Sequence, residues 1–326
     1  MRNIFKQKTI FTIGLPDDKL TKVNFDLPNF KKISLSDKGQ IDKIFQDFPP
    51  YCDFNFSNIY NWSSTSKPSE ISFINDNLVV KMKDFVEDHE VVSFIGNNKI
   101  SDTVSHLLEH FDELSMIPEE CITIELQERK DLIIEEDRNN HDYILSLKDL
   151  IDLPGNRFKS KRRKVKKFLE NNPNHTVEVI DLKNDDVWKL IEDLTFLWNH
   201  LKRGKASDIE NELNALKRQI SLANVCEIIF VGIYIDGNLV SFTTNEIKHG
   251  GFAIGSFGKA DFRYDGIFSY SEHVTAKHLY SLGCKFLNYE QDLGLEGLRK
   301  SKLSWKPVKF LKKYKIKKVE KVKLVK

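Results

Sequence analysis

Apolar positions change period repeatedly along the chain, and the changes predict short strands alternating with amphipathic helices. Residues up to about 29 read as a lead-in with one or two short strands. Ile41, Ile44 and Phe45 then share one face of a helix that Ser36 caps and Pro49-Pro50 ends. Phe54, Phe56, Tyr60 and Trp62 crowd the next stretch with rings, which suits a buried strand or turn anchoring a core, or else stacking of a ligand. Apolar runs at 71–74, 78–82 and 91–94, the first two separated by Asn75-Asp76-Asn77, predict an antiparallel meander. Val104, Leu107, Leu108 and Phe111 fall at helical spacing over 102–114, and 121–126 and 132–134 are further strand candidates. Together these predict an α+β domain over 1–140.

The pattern restarts at Tyr143-Ile-Leu-Ser-Leu, so a second domain is expected over 141–326. Leu153-Pro-Gly155 turns the chain into a helix with a narrow apolar stripe of Val165, Phe168 and Leu169. A strand at 176–180, helices at 186–202 and 207–222, and strands at 228–235, 239–246 and 251–257 follow, with Asp236-Gly-Asn238 as a hairpin turn. Arg263-Tyr-Asp-Gly266 opens a helix that Gly283 closes. The stretch 285–307 reads as strand, turn, helix and strand, and 308–316 as the last strand. Within it Asn288, Glu290, Asp292, Arg299, Lys300 and Lys302 gather at the carboxyl end of a strand, where ligands sit in α/β sheets. Two readings stand there. Either Asp292 caps the next helix with Arg299 and Lys302 as surface charges, or the cluster contacts a ligand.

Composition narrows the class. Of 326 residues 40% are hydrophobic and 30% charged, as in soluble globular proteins, and no apolar run approaches the roughly 18 residues of a membrane span. Membrane contact is at most peripheral. The amino terminus lacks the uninterrupted apolar stretch of a signal peptide. Cys52, Cys121, Cys226 and Cys284 show no paired spacing, so a reduced, cytoplasmic location without a structural metal is expected.

The formal net charge is only +2, yet it is uneven. Residues 156–167 carry eight cations (Arg157, Lys159, Lys161, Arg162, Arg163, Lys164, Lys166 and Lys167) and no acid, and 309–326 carry nine lysines against Glu320. Concentrated charge of this kind has a polyanionic partner or a nearby acidic surface. The basic helix is either a phosphate-binding face or a solvated helix packed on the acidic body. The tail binds RNA or anionic lipid head groups, or protects a sheet edge.

The order helix, strand, two helices, three-strand meander, helix, strand, helix, strand resembles the GNAT acyltransferase superfamily, and the first half reads as a weaker version of it. The expected fold class is therefore α+β, with tandem GNAT-like (acyl-CoA N-acyltransferase) domains, each a mixed central sheet flanked by helices. Three groups of residues extend the likeness. They are Phe54 and Asn55 with Tyr60 and Trp62; Leu153 and Gly155 with Phe158, Lys161-Arg162 and Phe168; and Asn288-x-Glu-Gln-Asp-Leu-Gly-x-x-Gly-Leu-Arg-x-x-Lys-x-x-Trp-x-Pro307. The set resembles the soluble bacterial relatives of the C-terminal domain of phosphatidylglycerol lysyltransferases. The resemblance implies transfer of an aminoacyl or acyl group, with charged tRNA as donor, to an amine or hydroxyl acceptor on a lipid head group, peptide or small molecule. The chain departs from the lipid-modifying enzymes in its Glu290-Gln-Asp-Leu-Gly294 strand end and in having no membrane-spanning half, which leaves the acceptor open.

Such a transfer needs a proton acceptor and groups that stabilise an oxyanion. Glu290 and Asp292 are first candidates for the base or for holding an acceptor ammonium, with Glu272 and His273 second. Arg299 and Lys302 are placed to neutralise phosphate or developing charge. GNAT proteins that use acetyl-coenzyme A cradle its pyrophosphate with an Arg/Gln-x-x-Gly-x-Gly/Ala loop. Here the place reads Arg263-Tyr264-Asp265-Gly266-Ile267-Phe268, with a bulky ring at the last position, so a coenzyme A thioester is the alternative donor. Arg157, Lys159, Lys161, Arg162, Arg163 and Lys164 form the candidate tRNA surface. A coenzyme A-dependent N-acyltransferase and a non-catalytic RNA-binding or regulatory protein are the rival readings.

Overall fold

The computed structural model describes residues 28–64, 68–83, 89–182, 185–202 and 206–319, so nearly all of the expected lead-in lies outside the described residues. The described residues open with β1 (Lys31–Lys32), α1 (Lys38–Phe45) and α2 (Phe56–Trp62). The meander β2 (Glu70–Ile74), β3 (Asn77–Lys83) and β4 (Glu90–Ile95) follows, then α3 (Ile100–Leu108), β5 (Glu113–Pro118), α4 (Ile124–Glu128), β6 (Leu132–Glu136) and β7 (Asp142–Ser146). Helices α5 (Leu147–Asp152) and α6 (Lys159–Asn171) lead to a second series. It runs β8 (Thr176–Val179), α7 (Asp185–Lys202), α8 (Ala206–Ser221), β9 (Ile228–Ile235), β10 (Asn238–Lys248) and β11 (Phe252–Ala260). It ends with α9 (Ile267–Ser281), β12 (Phe286–Asn288), α10 (Glu296–Leu303), β13 (Lys309–Leu311) and β14 (Lys313–Lys318). The second series repeats the first element for element, and the fold is α+β with two successive units of the same element order.

The units trade their last strands. β7, which ends the first series, lies between β12 and β13 in the seven-stranded sheet β13-β7-β12-β11-β10-β9-β8, while β14, which ends the second, lies between β5 and β6. Leu145 stands opposite Leu287, Tyr143 opposite Phe310, and Ile316 opposite Ile134. The larger sheet is mixed through the parallel pair β11 and β12. In the first unit β5 packs beside β4 but belongs to a separate ladder. Ile144 and Ile254 of the larger sheet join Phe54, Val79 and Leu107 in one core, so the first unit's interior continues into the second. A second core lies against α5, α6 and α9 through Leu150, Phe168 and Leu279.

Several elements differ from expectation for identifiable reasons. The ring-rich stretch is the helix α2 rather than a strand or turn. Its rings read as period two, but Phe56 and Tyr60, one helical turn apart, stack at 5.7 Å. Residues 121–126 give the short helix α4, because Thr123 Oγ1 accepts the N–H of Leu126 and starts a helix instead of a strand. The helix expected to reach 114 stops at Leu108, and Glu113–Pro118 is β5. The single last strand is two strands in two sheets, and β14 is central. Its lysines meet acids of the first unit, into which the strand has crossed: Lys315 with Glu113 at 3.1 Å, Lys317 with Glu135 at 3.3 Å and Lys318 with Glu109 at 2.5 Å.

Candidate active site

β12 ends at Asn288, where the chain bends sharply: Glu290 and Leu293 both have φ 55°, and Gly294 has φ 74°. The bend is held by Asn288 Oδ1, which accepts the Glu290 N–H at 2.8 Å, and by β7, whose Tyr143 N–H donates to the Glu290 carbonyl at 3.1 Å. On one side the Tyr289 hydroxyl donates to Glu272 of α9 at 2.5 Å. On the other, Glu290 Oε1 accepts the Asn58 amide of α2 at 3.0 Å, and Asn58 Oδ1 accepts the Ser256 hydroxyl of β11 at 3.2 Å. Lys302 of α10 is buried, donates to the Tyr289 carbonyl and lies 4.7 Å from the centroid of its ring. Lys161 of α6 stands 3.6 Å over the Trp305 ring.

The environment drives these groups towards neutrality. Burial pushes Glu290 up to about 8, against the opposing charge of Lys302 and with help from Asp142 and Asp53. Burial raises Glu272 as well, although the Tyr289 hydroxyl and the two lysines oppose it. Burial lowers Lys302, and lowers Lys161 to about 8 with Glu272 working the other way. A carboxyl and an amine brought to about 8, Glu290 and Lys161, exchange protons near neutral pH, which is the property general acid–base chemistry requires.

Of the candidate catalytic and charge-neutralising residues, Glu290, Glu272 and Lys302 meet here, joined by Lys161 of the basic helix, while Asp292, His273, Arg299 and Arg263 are committed elsewhere. Asp292 is fully buried and takes Arg299 through two bonds at 2.8 and 2.9 Å, Arg138 at 3.2 Å, the Tyr143 hydroxyl at 2.5 Å and the Gly294 N–H at 2.9 Å. Burial works against its charge, but Arg299, Tyr143 and Gly294 together outweigh burial and hold it at about 2. Asp292 and Arg299 thus pin the loop. His273 Nδ1 lies 3.0 Å from the Leu150 carbonyl, and burial lowers its pKa. Arg263 is chelated by Asp261 at 2.6 and 2.9 Å, and Tyr264 packs on the second core. Gly266, at φ 89°, lets α6 cross the start of α9, since a Cβ there would stand 2.1 Å from the Lys164 carbonyl. In the first unit the corresponding turn before α3 is filled by Asn77, which donates to the Asn98 carbonyl at 2.6 Å and to Thr103 at 2.8 Å.

The basic helix is divided in its roles. Arg157 pairs with Asp149 at 2.6 Å, and Arg162 donates to the Gly155 carbonyl at 2.7 Å and to that of Leu153. Lys159, Arg163 and Lys164 are exposed, and their side chains make no hydrogen bond or ion pair among the described residues.

Sequence reasoning passed over a buried cluster beneath the bend. Cys52, Asp53 and Asp142 bring three ligand-type groups together, and the ammonium of Lys313 sits among them, 2.6 Å from Asp142 Oδ1 and paired with Asp53. A built-in cation thus occupies what would otherwise resemble a metal site. No local signal marked Lys313, because β14 reads Lys313-Tyr-Lys-Ile-Lys-Lys318 and its first lysine looks like the others. His106 of α3 and His110, in the turn just past the end of that helix, bring their rings to 5.7 Å, but no third ligand joins them among the described residues.

Residues 47–317 match the family described as phosphatidylglycerol lysyltransferase, C-terminal. The chain belongs to this family. The match spans both units and ends inside β14, so it includes the exchanged strands. A conserved protein of unknown function from Bacteroides thetaiotaomicron is similar at 25% identity and TM-score 0.76, over 90% of this chain and 100% of that one. The L-PGS structure from Bacillus licheniformis shares the fold at 14% identity and TM-score 0.54, over 76% and 83%. So does the C-terminal domain of a lysylphosphatidylglycerol-synthetase candidate from Agrobacterium fabrum, at 11% and 0.57, over 86% and 91%. No curated protein matches by sequence. Family and fold point to acyl or aminoacyl transfer, and no helix among the described residues of this family member is long and apolar enough to cross a membrane.

Proposed function

We propose that the chain transfers an aminoacyl group from charged tRNA to an amine or hydroxyl acceptor, with Glu290 as the proton acceptor. The observation that carries this is a carboxyl pushed to about 8, held by Asn58 and lying within the field of Lys302. The acceptor's O–H or N–H attacks the ester carbonyl carbon while Glu290 takes its proton. The new bond to carbon forms, the carbon–oxygen bond to the ribose breaks, and the proton passes from Glu290 to the departing ribose oxygen. Lys302 supplies positive charge where the oxyanion develops.

Charged tRNA is favoured over coenzyme A by three features. Arg263 is tied to Asp261, α6 covers the start of α9 at Gly266, and exposed cations of that same helix flank Lys161. The acceptor is a lipid head group, a peptide or a small molecule, met in the cytoplasm with peripheral membrane contact at most. Incubation with pools of radiolabelled aminoacyl-tRNA and cell extract tests the reading. The wild-type protein moves label to an acceptor and Glu290→Gln does not, whereas equal label with both proteins sinks it. A saturable thermal shift with coenzyme A at the Arg263 loop would instead favour the acyl-thioester donor.

A further inference from the structure

The buried Asp53, Lys313 and Asp142 touch no candidate reacting group directly, yet both carboxylates hold an amide that borders Glu290. Asp142 Oδ2 accepts the Asn288 amide at 2.8 Å and the Cys52 N–H at 2.9 Å, while Asp53 Oδ1 accepts the Gln291 amide at 3.0 Å. The Cys52 thiol donates to Gln291 Oε1 at 2.8 Å, so both ends of that amide are engaged. Asn288 Oδ1 in turn accepts the N–H of Glu290. Two amides therefore clamp the backbone on either side of Glu290, the residue held at φ 55°. A left-handed conformation is costly for any residue but glycine and persists only where surrounding contacts impose it.

Stability alone is a poor account of such a cluster. Lys313 and Asp142 are 0% exposed, and the cost of stripping water from buried charges consumes most of their attraction, so apolar residues would seal the seam as well. What apolar residues would not provide is a rigid set of acceptors for Asn288 and Gln291. The ammonium belongs to β14, the strand that crosses from the end of the second unit into the first, and Asp142 belongs to β7, which crosses the other way.

We infer that the Asp53–Lys313–Asp142 triad is the positioning element of Glu290: through Asn288 and Gln291 it fixes the bent backbone that holds the Glu290 carboxyl against Asn58, and so makes the strand exchange a condition for a formed site. This rests on the reading of Glu290 as proton acceptor and specifies what orients it. The charged or polar groups facing Glu290 are Asn58 from α2, Cys52 and Asp53 from the turn before it, Asp142 from β7 and Lys302 from α10.

Carbon-13 NMR of protein labelled at the glutamate carboxyl carbon reads Glu290 directly and needs no substrate, the Glu290 resonance being the one lost in Glu290→Gln. In Asn288→Ala and in Gln291→Ala the titration midpoint moves down towards the ordinary carboxylate range, because the carboxyl swings out to water. Lys313→Met, combined with Asn288→Ala, moves it no further than the larger single change, since both act on one path. If Lys313→Met does not fold, the two amide variants alone decide. Midpoints equal to wild type in both amide variants, with only the thermal transition lowered, overturn the inference and leave the triad as a seam. Absence of transfer by the wild-type protein would count against the proposed function and leave this result standing.

Discussion

Asn58 donates its side-chain amide to Glu290 Oε1 at 3.0 Å and thereby ties α2 of the first unit to the end of β12 in the second. The bond favours the ionised carboxylate, the form that accepts a proton. With Glu290 at about 8, roughly a tenth of it is ionised at pH 7, so kcat/KM should rise tenfold per pH unit and level off above about 8. Asn58→Ala removes a bond to a charged group worth about 1.5–3 kcal/mol, so the rising limb moves to higher pH and activity at pH 7 falls about tenfold or more. A pH–rate profile that keeps its midpoint in Asn58→Ala excludes this coupling.

Glu290 should also be a stability cost. Its folded pKa, about 8, lies above the ordinary 4.5, so the folded state binds its proton more tightly than the unfolded chain does. The stability this gives is complete below about 4.5 and is lost progressively as pH rises to about 8. Glu290→Gln keeps the shape and cannot ionise. Its melting temperature should match wild type at pH 4, exceed it increasingly up to pH 8, and stay above it by a constant margin beyond. Equal melting temperatures at pH 8 would show that the carboxyl is well solvated.

How far the sequence discloses this site depends on how local its contacts are. The bend after β12 was legible because Asn288, Glu290, Asp292 and Gly294 lie within a few residues and carry their turn chemistry with them. The order of the second unit was legible for the same reason, its meander being marked by Asp236-Gly237. The partners of Glu290 were not, since Asn58 is 232 residues away on a stretch whose rings hid a helix. Lys313 looked like one more cation of a basic tail. Its burial follows from β14 crossing into the first unit, and no local pattern encodes which sheet a strand joins.

Asp292 should behave in the opposite way to Glu290. Its pKa lies at about 2, below the ordinary 3.8, because Arg299, Tyr143 and the Gly294 N–H hold the charge. The stability it contributes is therefore present above about 4 and lost as pH falls through about 2, and linkage puts it near 2 kcal/mol at neutral pH. Asp292→Asn should lower the unfolding free energy by about that amount at pH 7 in a urea titration. The gap from wild type should close near pH 2. A stable but inactive Asp292→Asn would contradict the anchoring role.

The last prediction concerns the basic helix, where two kinds of cation can be told apart. Arg157 and Arg162 are already bound to Asp149 and to the carbonyls of Leu153 and Gly155, so neutralising them removes internal contacts. Lys159, Arg163 and Lys164 face solvent beside Lys161 and are free to meet phosphates. Each phosphate contact contributes about 0.7–0.9 to the slope of log affinity against log salt. Replacing Lys159, Arg163 and Lys164 together by Gln should therefore weaken tRNA binding in low salt and flatten that slope by about 2–3, measured by filter binding or fluorescence anisotropy, with the melting temperature nearly unchanged. Arg162→Gln should do the reverse, lowering the melting temperature with little change in slope. If the triple variant keeps the wild-type slope, the cations of α6 are a solvated surface and the donor reaches Glu290 by another face.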